Sequence, residues 1–117
     1  MKIKSFRDII AWQKAKAVSL DIYLIFRAQK DFGFRDQIQR SSISIMNNIA
    51  EGFAFSDKKF AQYLDISMGS CYETQSMLEI AKELNYIEEN KCASLLMQCE
   101  EIAKILTGLS KSLSRIS

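Results

Sequence analysis

The residues best equipped for chemistry are few. Cys71, Cys92 and Cys99 are the only thiols of the 117-residue chain, and histidine is absent. An odd cysteine count, no CxxC spacing and no imidazole leave a zinc site or a disulfide framework without its parts. Cys92 and Cys99 stand seven residues apart, on one stripe of a helix, where a reduced thiol fills a core as a small hydrophobe. Carboxylates pair at Glu88 with Glu89 and at Glu100 with Glu101. Neighbours on a helix diverge by about 100°, so neither pair can converge on one bond. A di-iron bundle would need Glu-x-x-His motifs, and no glycine-rich phosphate loop is present. The expectation is a protein that is not an enzyme and carries no cofactor and no metal.

Cations offer the other chemistry. The net charge is only +2, but residues 1 to 60 hold eleven Lys or Arg against six Asp or Glu, while residues 61 to 117 hold five against eight. Lys14, Arg40, Lys58 and Lys59, with Lys2, Lys4 and Arg7 near the amino terminus, are the candidate phosphate contacts, which would bind RNA or DNA without reading bases. Ordinary solvated helix faces explain the same charges equally well. Repetition around an oligomer would turn the modest patch into a belt.

The elements that must position these groups are helices. No proline and only four glycines leave little to interrupt long helices or to build the turns of a sheet. With 48% hydrophobic residues, no signal peptide and no apolar run of membrane-spanning length, a single cytoplasmic domain covering residues 1–117 is expected, with no membrane role. A first helix from about Phe6 to Gln29 carries two stripes: Ala11, Ala15, Val18, Ile22 and Ile25 on one, and Ile10, Ala17, Leu20 and Leu24 on another. One bundle core needs one stripe, so the second predicts a homo-oligomer. Trp12 can anchor the core end or a contact between copies, its N–H seeking an acceptor. Gly33 is expected to supply the reversal into a second helix, about Phe34 to Phe53.

In that helix Ile38, Ile45 and Ile49 share a face with Ser41, Ser42 and Asn48. Glu51 neighbours Asn48 at a spacing of three, and Gly52 is placed to end the helix in the left-handed conformation. Phe53 and Phe55 flank a turn closed by the cap Ser56. The third helix, about Asp57 to Leu84, has a seam of Phe60, Leu64, Ser67, Cys71, Thr74, Leu78 and Ala81. Gly69 there suggests close helix approach, and Glu73 is expected to meet Asn48 or Arg40, or to stay exposed; Asn48, Glu51 and Glu73 form the candidate polar network. A fourth helix opens at Glu88 and Glu89, its seam running from Cys92 through Leu95, Cys99, Ile102, Leu106, Leu109 and Leu113 to Ile116. Four such helices with short loops predict an all-α, antiparallel up-down-up-down four-helix bundle some 30 to 40 Å long at about 1.5 Å per residue.

The string DQIQRSSISIMNNIAEG, Asp36 to Gly52, resembles the signature of the family of proteins encoded in 23S rRNA intervening sequences, usually of the form DQIRRAAVSIPSNIAEG. The resemblance extends to FRDIIAWQKA, to FAQYLDISMGSCYETQSMLEIAKELNYI and more weakly to EEIAKILTGLSKSL. It implies a homopentamer. One branch serves as accessory subunits of diversity-generating retroelements, which implies nucleic acid and a reverse transcriptase as partners. Arg40 matches the second signature arginine. Gln39 replaces the first arginine, Met46 replaces a proline, and Phe55 and Ala61 lie in an often more basic segment, departures that weaken a role resting on positive charge.

Overall fold

The structure, a computed structural model, describes residues 3–116, with side chains through residue 114. After a 3-10 turn at Phe6–Asp8 come α1 (Ile10–Phe26), α2 (Phe32–Gly52), α3 (Asp57–Glu83) and α4 (Glu89–Ile116). Each helix packs against its chain neighbours, α1 also touches α4, and the diagonal pairs do not meet. That is the up-down-up-down bundle, measuring 45 × 20 × 19 Å. Among the described residues no helix is long and apolar enough to cross a membrane.

The expected seams are the core. Ala11, Ala15, Val18 and Ile22 from α1, Ile38, Ile45 and Ile49 from α2, all seven residues predicted for α3, and Cys92 to Leu106 of the α4 stripe are buried. Leu109 and Leu113 are partly buried, and the side chain of Ile116 lies outside the described residues.

The first helix is shorter at both ends than periodicity suggests. Ser5 accepts the backbone N–H of Arg7, and Ile9 takes an extended conformation that drops its side chain into the core. The turn thereby sets Phe6 edge-on to Trp12, with centroids 5.1 Å apart.

The glycines act differently from expectation. Gly33 lies inside α2, and the reversal is made by Asp31, whose Oδ1 accepts the Phe34 N–H at 3.2 Å. The left-handed residue among the described residues is Asn85, φ 60°, which follows α3 as the Tyr86 N–H reaches back to the Ala81 carbonyl at 2.8 Å. Tyr86 then donates its hydroxyl to Asp31 Oδ2 at 2.9 Å, tying this turn to the start of α2. Gly52 ends α2 without a positive φ. Its role is space: a Cβ there would stand 2.5 Å from Tyr63 Cβ and 3.0 Å from Phe60 Cδ1. Gly69, expected at a close approach, has open space around it, as does Gly108.

These contrasts predict opposite effects of one substitution. Gly52→Ala should lose about 1–3 kcal/mol through overpacking, whereas Gly108→Ala should gain about 0.5–1 kcal/mol from helix propensity. Urea denaturation of both variants checks this.

Candidate functional site

The polar groups of α2 gather on its contact with α3. Ser41 Oγ lies 3.0 Å from Thr74 Oγ1, Ser44 Oγ 2.8 Å from Ser70 Oγ, and Ser67 donates to the Ile45 carbonyl at 2.6 Å. On the other flank Ser19 Oγ of α1 lies 3.4 Å from Ser42 Oγ. Small hydroxyls allow the helices to close up while each polar atom keeps a partner. Asn48 is half-buried and donates to the Ser44 carbonyl at 2.8 Å and to Ser44 Oγ at 2.9 Å, so it extends this ladder.

Glu51 and Glu73 stand apart from it. Tyr63 donates its hydroxyl to Glu51 at 3.4 Å, and Gln37 donates to Glu73 at 3.5 Å. Asn48, Glu51 and Glu73 therefore share no direct hydrogen bond, and Glu73 meets Gln37 rather than Asn48. Each nevertheless sits along the same α2–α3 boundary.

The candidate cations are dispersed. Lys14 forms an ion pair with Glu101 of α4 at 3.0 Å. Arg40 lines an α2–α3 groove of about 420 Å³ together with Asp36, Gln37 and Glu73. Lys58 and Lys59 open α3, some fifteen residues from Glu73, which is about 22 Å along a helix. A different grouping is found at that end. The segment bearing Lys4 and Arg7 packs there: Ile3 and Ile9 line a recess of about 500 Å³ with Phe53, Phe55, Phe60, Leu113 and the carboxylate of Asp57. Lys4, Arg7, Lys58 and Lys59 are exposed and form no ion pair among the described residues. Phe55, 41% exposed, stacks on Tyr63 and lies beneath Lys59 Nζ at 4.0 Å.

The cysteine thiols lie in the core. All three cysteines are free and buried. Cys71 donates to the Cys99 carbonyl at 3.1 Å and Cys92 to the Leu78 carbonyl at 3.3 Å. Side-chain hydrogen bonding between the two sulfurs, then burial, pushes the Cys99 thiol far up, while the same sulfur–sulfur bond lowers Cys71 against the opposing effect of burial. Burial raises Cys92. A reactive thiol needs exposure, which these buried positions lack, and the Lys82 charge near Cys92 is outweighed there by burial and by Glu79. Burial and the charge of Glu51 raise the Tyr63 phenol, and the hydrogen bond to Asp31 raises that of Tyr86. Among the described residues, no three Cys, Asp or Glu side chains are grouped to hold a metal ion.

The outer side of α1 is the apolar surface that its second stripe of residues predicted. The second stripe of α1 is uncovered: Ile10 is 53%, Leu20 55% and Leu24 58% exposed. Beside it a groove of about 340 Å³ runs between α1 and α2, lined by Lys16, Ser19, Leu20, Tyr23, Ile43 and Met46. In the sequence the groove is marked by Leu20 on the second stripe of α1 and by Ile43 and Met46, three residues apart on α2. Trp12 Nε1 is buried without an acceptor among the described residues.

Residues 7–108, from the 3-10 turn through most of α4, match the 23S rRNA-intervening sequence protein family. The chain belongs to that family. A crystal structure of a protein of unknown function from the S23 ribosomal protein family of Bacteroides thetaiotaomicron is similar to it, with 29% identity and a TM-score of 0.81. The alignment covers 87% of this chain and 99% of that one. No curated protein matches. In this member of the 23S rRNA-intervening sequence family, the signature string lies within α2; its Ser41 and Ser44 join α2 to α3, Ser42 meets α1, and Asn48 braces Ser44 from within the helix.

Removing one partner of a buried polar pair costs about 1–3 kcal/mol. Asn48→Leu should lose stability on that scale, whereas Asn47→Ala, on an exposed position, should leave the melting temperature nearly unchanged. Thermal melts of the two variants side by side give the comparison.

Proposed function

We propose that the protein is a non-catalytic, self-associating helical bundle that binds RNA or DNA without sequence preference, as an accessory subunit of a larger nucleic-acid-processing complex. The observation that carries the binding is the grouping of Lys4, Arg7, Lys58 and Lys59 at one end of the bundle, free of ion pairs among the described residues. Asp8, Glu51 and Asp57 share this end, so the excess per protomer is small and repetition in an oligomer has to multiply it. Self-association is supported by the uncovered α1 stripe, since three large side chains more than half exposed on one helix form a patch that association would bury. Family membership supports a nucleic-acid context, and the resemblance to retroelement accessory subunits makes a reverse transcriptase a candidate protein partner.

Lys14 and Arg40 have smaller parts in this reading. The Glu101 pair neutralises Lys14, and Arg40 shares its groove with Glu73.

Fluorescence anisotropy with labelled single- and double-stranded oligonucleotides at two salt concentrations tests the proposal. Removing one cation that touches a phosphate should flatten the slope of log affinity against log salt by roughly 0.9 on duplex DNA. Lys58→Ala with Lys59→Ala should flatten it for every sequence alike, and Arg40→Ala should change it little. Identical curves for wild type and the double variant would exclude this surface. Absence of binding at low salt would make a protein-only partner, and thus a scaffold, the better reading.

A further inference from the structure

We infer that the cationic end of the bundle selects single-stranded over duplex nucleic acid by taking an unpaired base into the recess beside Phe55, with the adjoining phosphates held by Lys58 and Lys59. This deepens the nucleic-acid reading above and rests on it. Three observations lead there: an aromatic ring left open to water, cations within reach of it, and a recess with room for a base.

The fold treats the two aromatics of the α2–α3 turn differently. Phe53 is half-buried and edge-on to Phe60, with centroids 5.9 Å apart. Phe55 remains 41% exposed although it stacks on Tyr63, at 5.4 Å between centroids and 16° between planes. Tyr63 belongs to α3, and its hydroxyl is held by Glu51 of α2. The plane of Phe55 is therefore set by two helices before any ligand arrives. A ring fixed in this way is a stacking platform that loses little freedom on binding.

The cations stand around that platform. Lys59 Nζ lies 4.0 Å from the centre of the Phe55 ring. A cation–π contact at an exposed site is weak, so Lys59 can move to a phosphate as a base takes its place. Lys58, Lys4 and Arg7 are exposed nearby, and none of the four forms an ion pair among the described residues. A single strand supplies what this arrangement matches, a flat apolar face with a negative charge one sugar away. A duplex supplies the charge alone, because the faces of its bases are spent on one another. An aliphatic anion supplies no flat face.

The recess gives the base its place. Its volume of about 500 Å³ falls within the roughly 300–1,000 Å³ of small-ligand sites. Asp57 also lines it and forms no ion pair among the described residues. That carboxylate repels phosphate, which keeps the backbone outside with the lysines, and it accepts an N–H from a base edge. Every base carries such a donor, an amino group on adenine, cytosine and guanine or a ring N–H on uracil and thymine. The site thus distinguishes unpaired from paired bases rather than one base from another.

The test uses three labelled oligonucleotides of equal length, read by fluorescence anisotropy: a mixed-sequence single strand, its duplex, and the same strand made abasic. Wild type should bind the intact strand roughly 5- to 150-fold more tightly than the abasic one, and more tightly than the duplex. Phe55→Ala should remove that advantage and leave abasic affinity, duplex affinity and salt slope unchanged, while Phe55→Trp should keep it; circular dichroism confirms helicity. Decanoate, an anion without a ring, should not displace the strand. Intact and abasic strands bound alike, or a folded Phe55→Ala variant that keeps the preference, would overturn the inference and leave the cationic surface standing. Displacement by decanoate would overturn it in favour of an amphiphile. Absence of binding to all three oligonucleotides at low salt would overturn the nucleic-acid reading itself.

Discussion

The close contact between α2 and α3 is the constraint on which the remaining packing depends. Gly52 lets the two helices meet beside Tyr63 and Phe60, leaving no room for a methyl group. Along the rest of the boundary serine and threonine hydroxyls replace bulky side chains and bond to one another or to backbone carbonyls. Each such bond contributes only about 0.5–1.5 kcal/mol net, but leaving its partner buried and alone would cost more, so the register of α2 against α3 is held at several points.

α2 meets α1 less closely than it meets α3, with the apolar side chains of Ile43 and Met46 lining a groove rather than a closed contact. The α1–α2 side is joined by two long hydrogen bonds, Ser19 with Ser42 and Gln39 to the Tyr23 carbonyl, each 3.4 Å, and opens into the groove of Leu20, Tyr23, Ile43 and Met46. α1 reaches α4 through the exposed ion pairs Lys14 with Glu101 and Lys91 with Asp21, which are worth little in water. It is accordingly the helix with the most apolar surface facing outward and the least holding it in place.

The seams of all four helices were legible because heptad spacing is a direct image of burial: every residue expected on the α3 stripe is buried. The serines of α2 were legible as inward-facing for the same reason. What spacing cannot convey is which neighbour occupies a given direction. Hence Gly52 read as a left-handed stop when its task is to admit Tyr63, and Gly69 read as an internal contact when it faces outward. Lys14 read as a phosphate contact because its partner Glu101 lies on another helix, and the proximity of Lys4 and Arg7 to Lys58 and Lys59 depends on a 3-10 turn that periodicity runs straight through.

Native-state hydrogen exchange at several protein concentrations tests most directly whether a closely packed α2–α3 pair carries a first helix that, as proposed, other copies complete. Amides of α2 and α3 should exchange last and at rates independent of concentration, while those of α1 exchange sooner and become more protected as concentration rises and neighbours cover Leu20 and Leu24. Uniform protection across all four helices, unchanged with concentration, would contradict that division of the bundle.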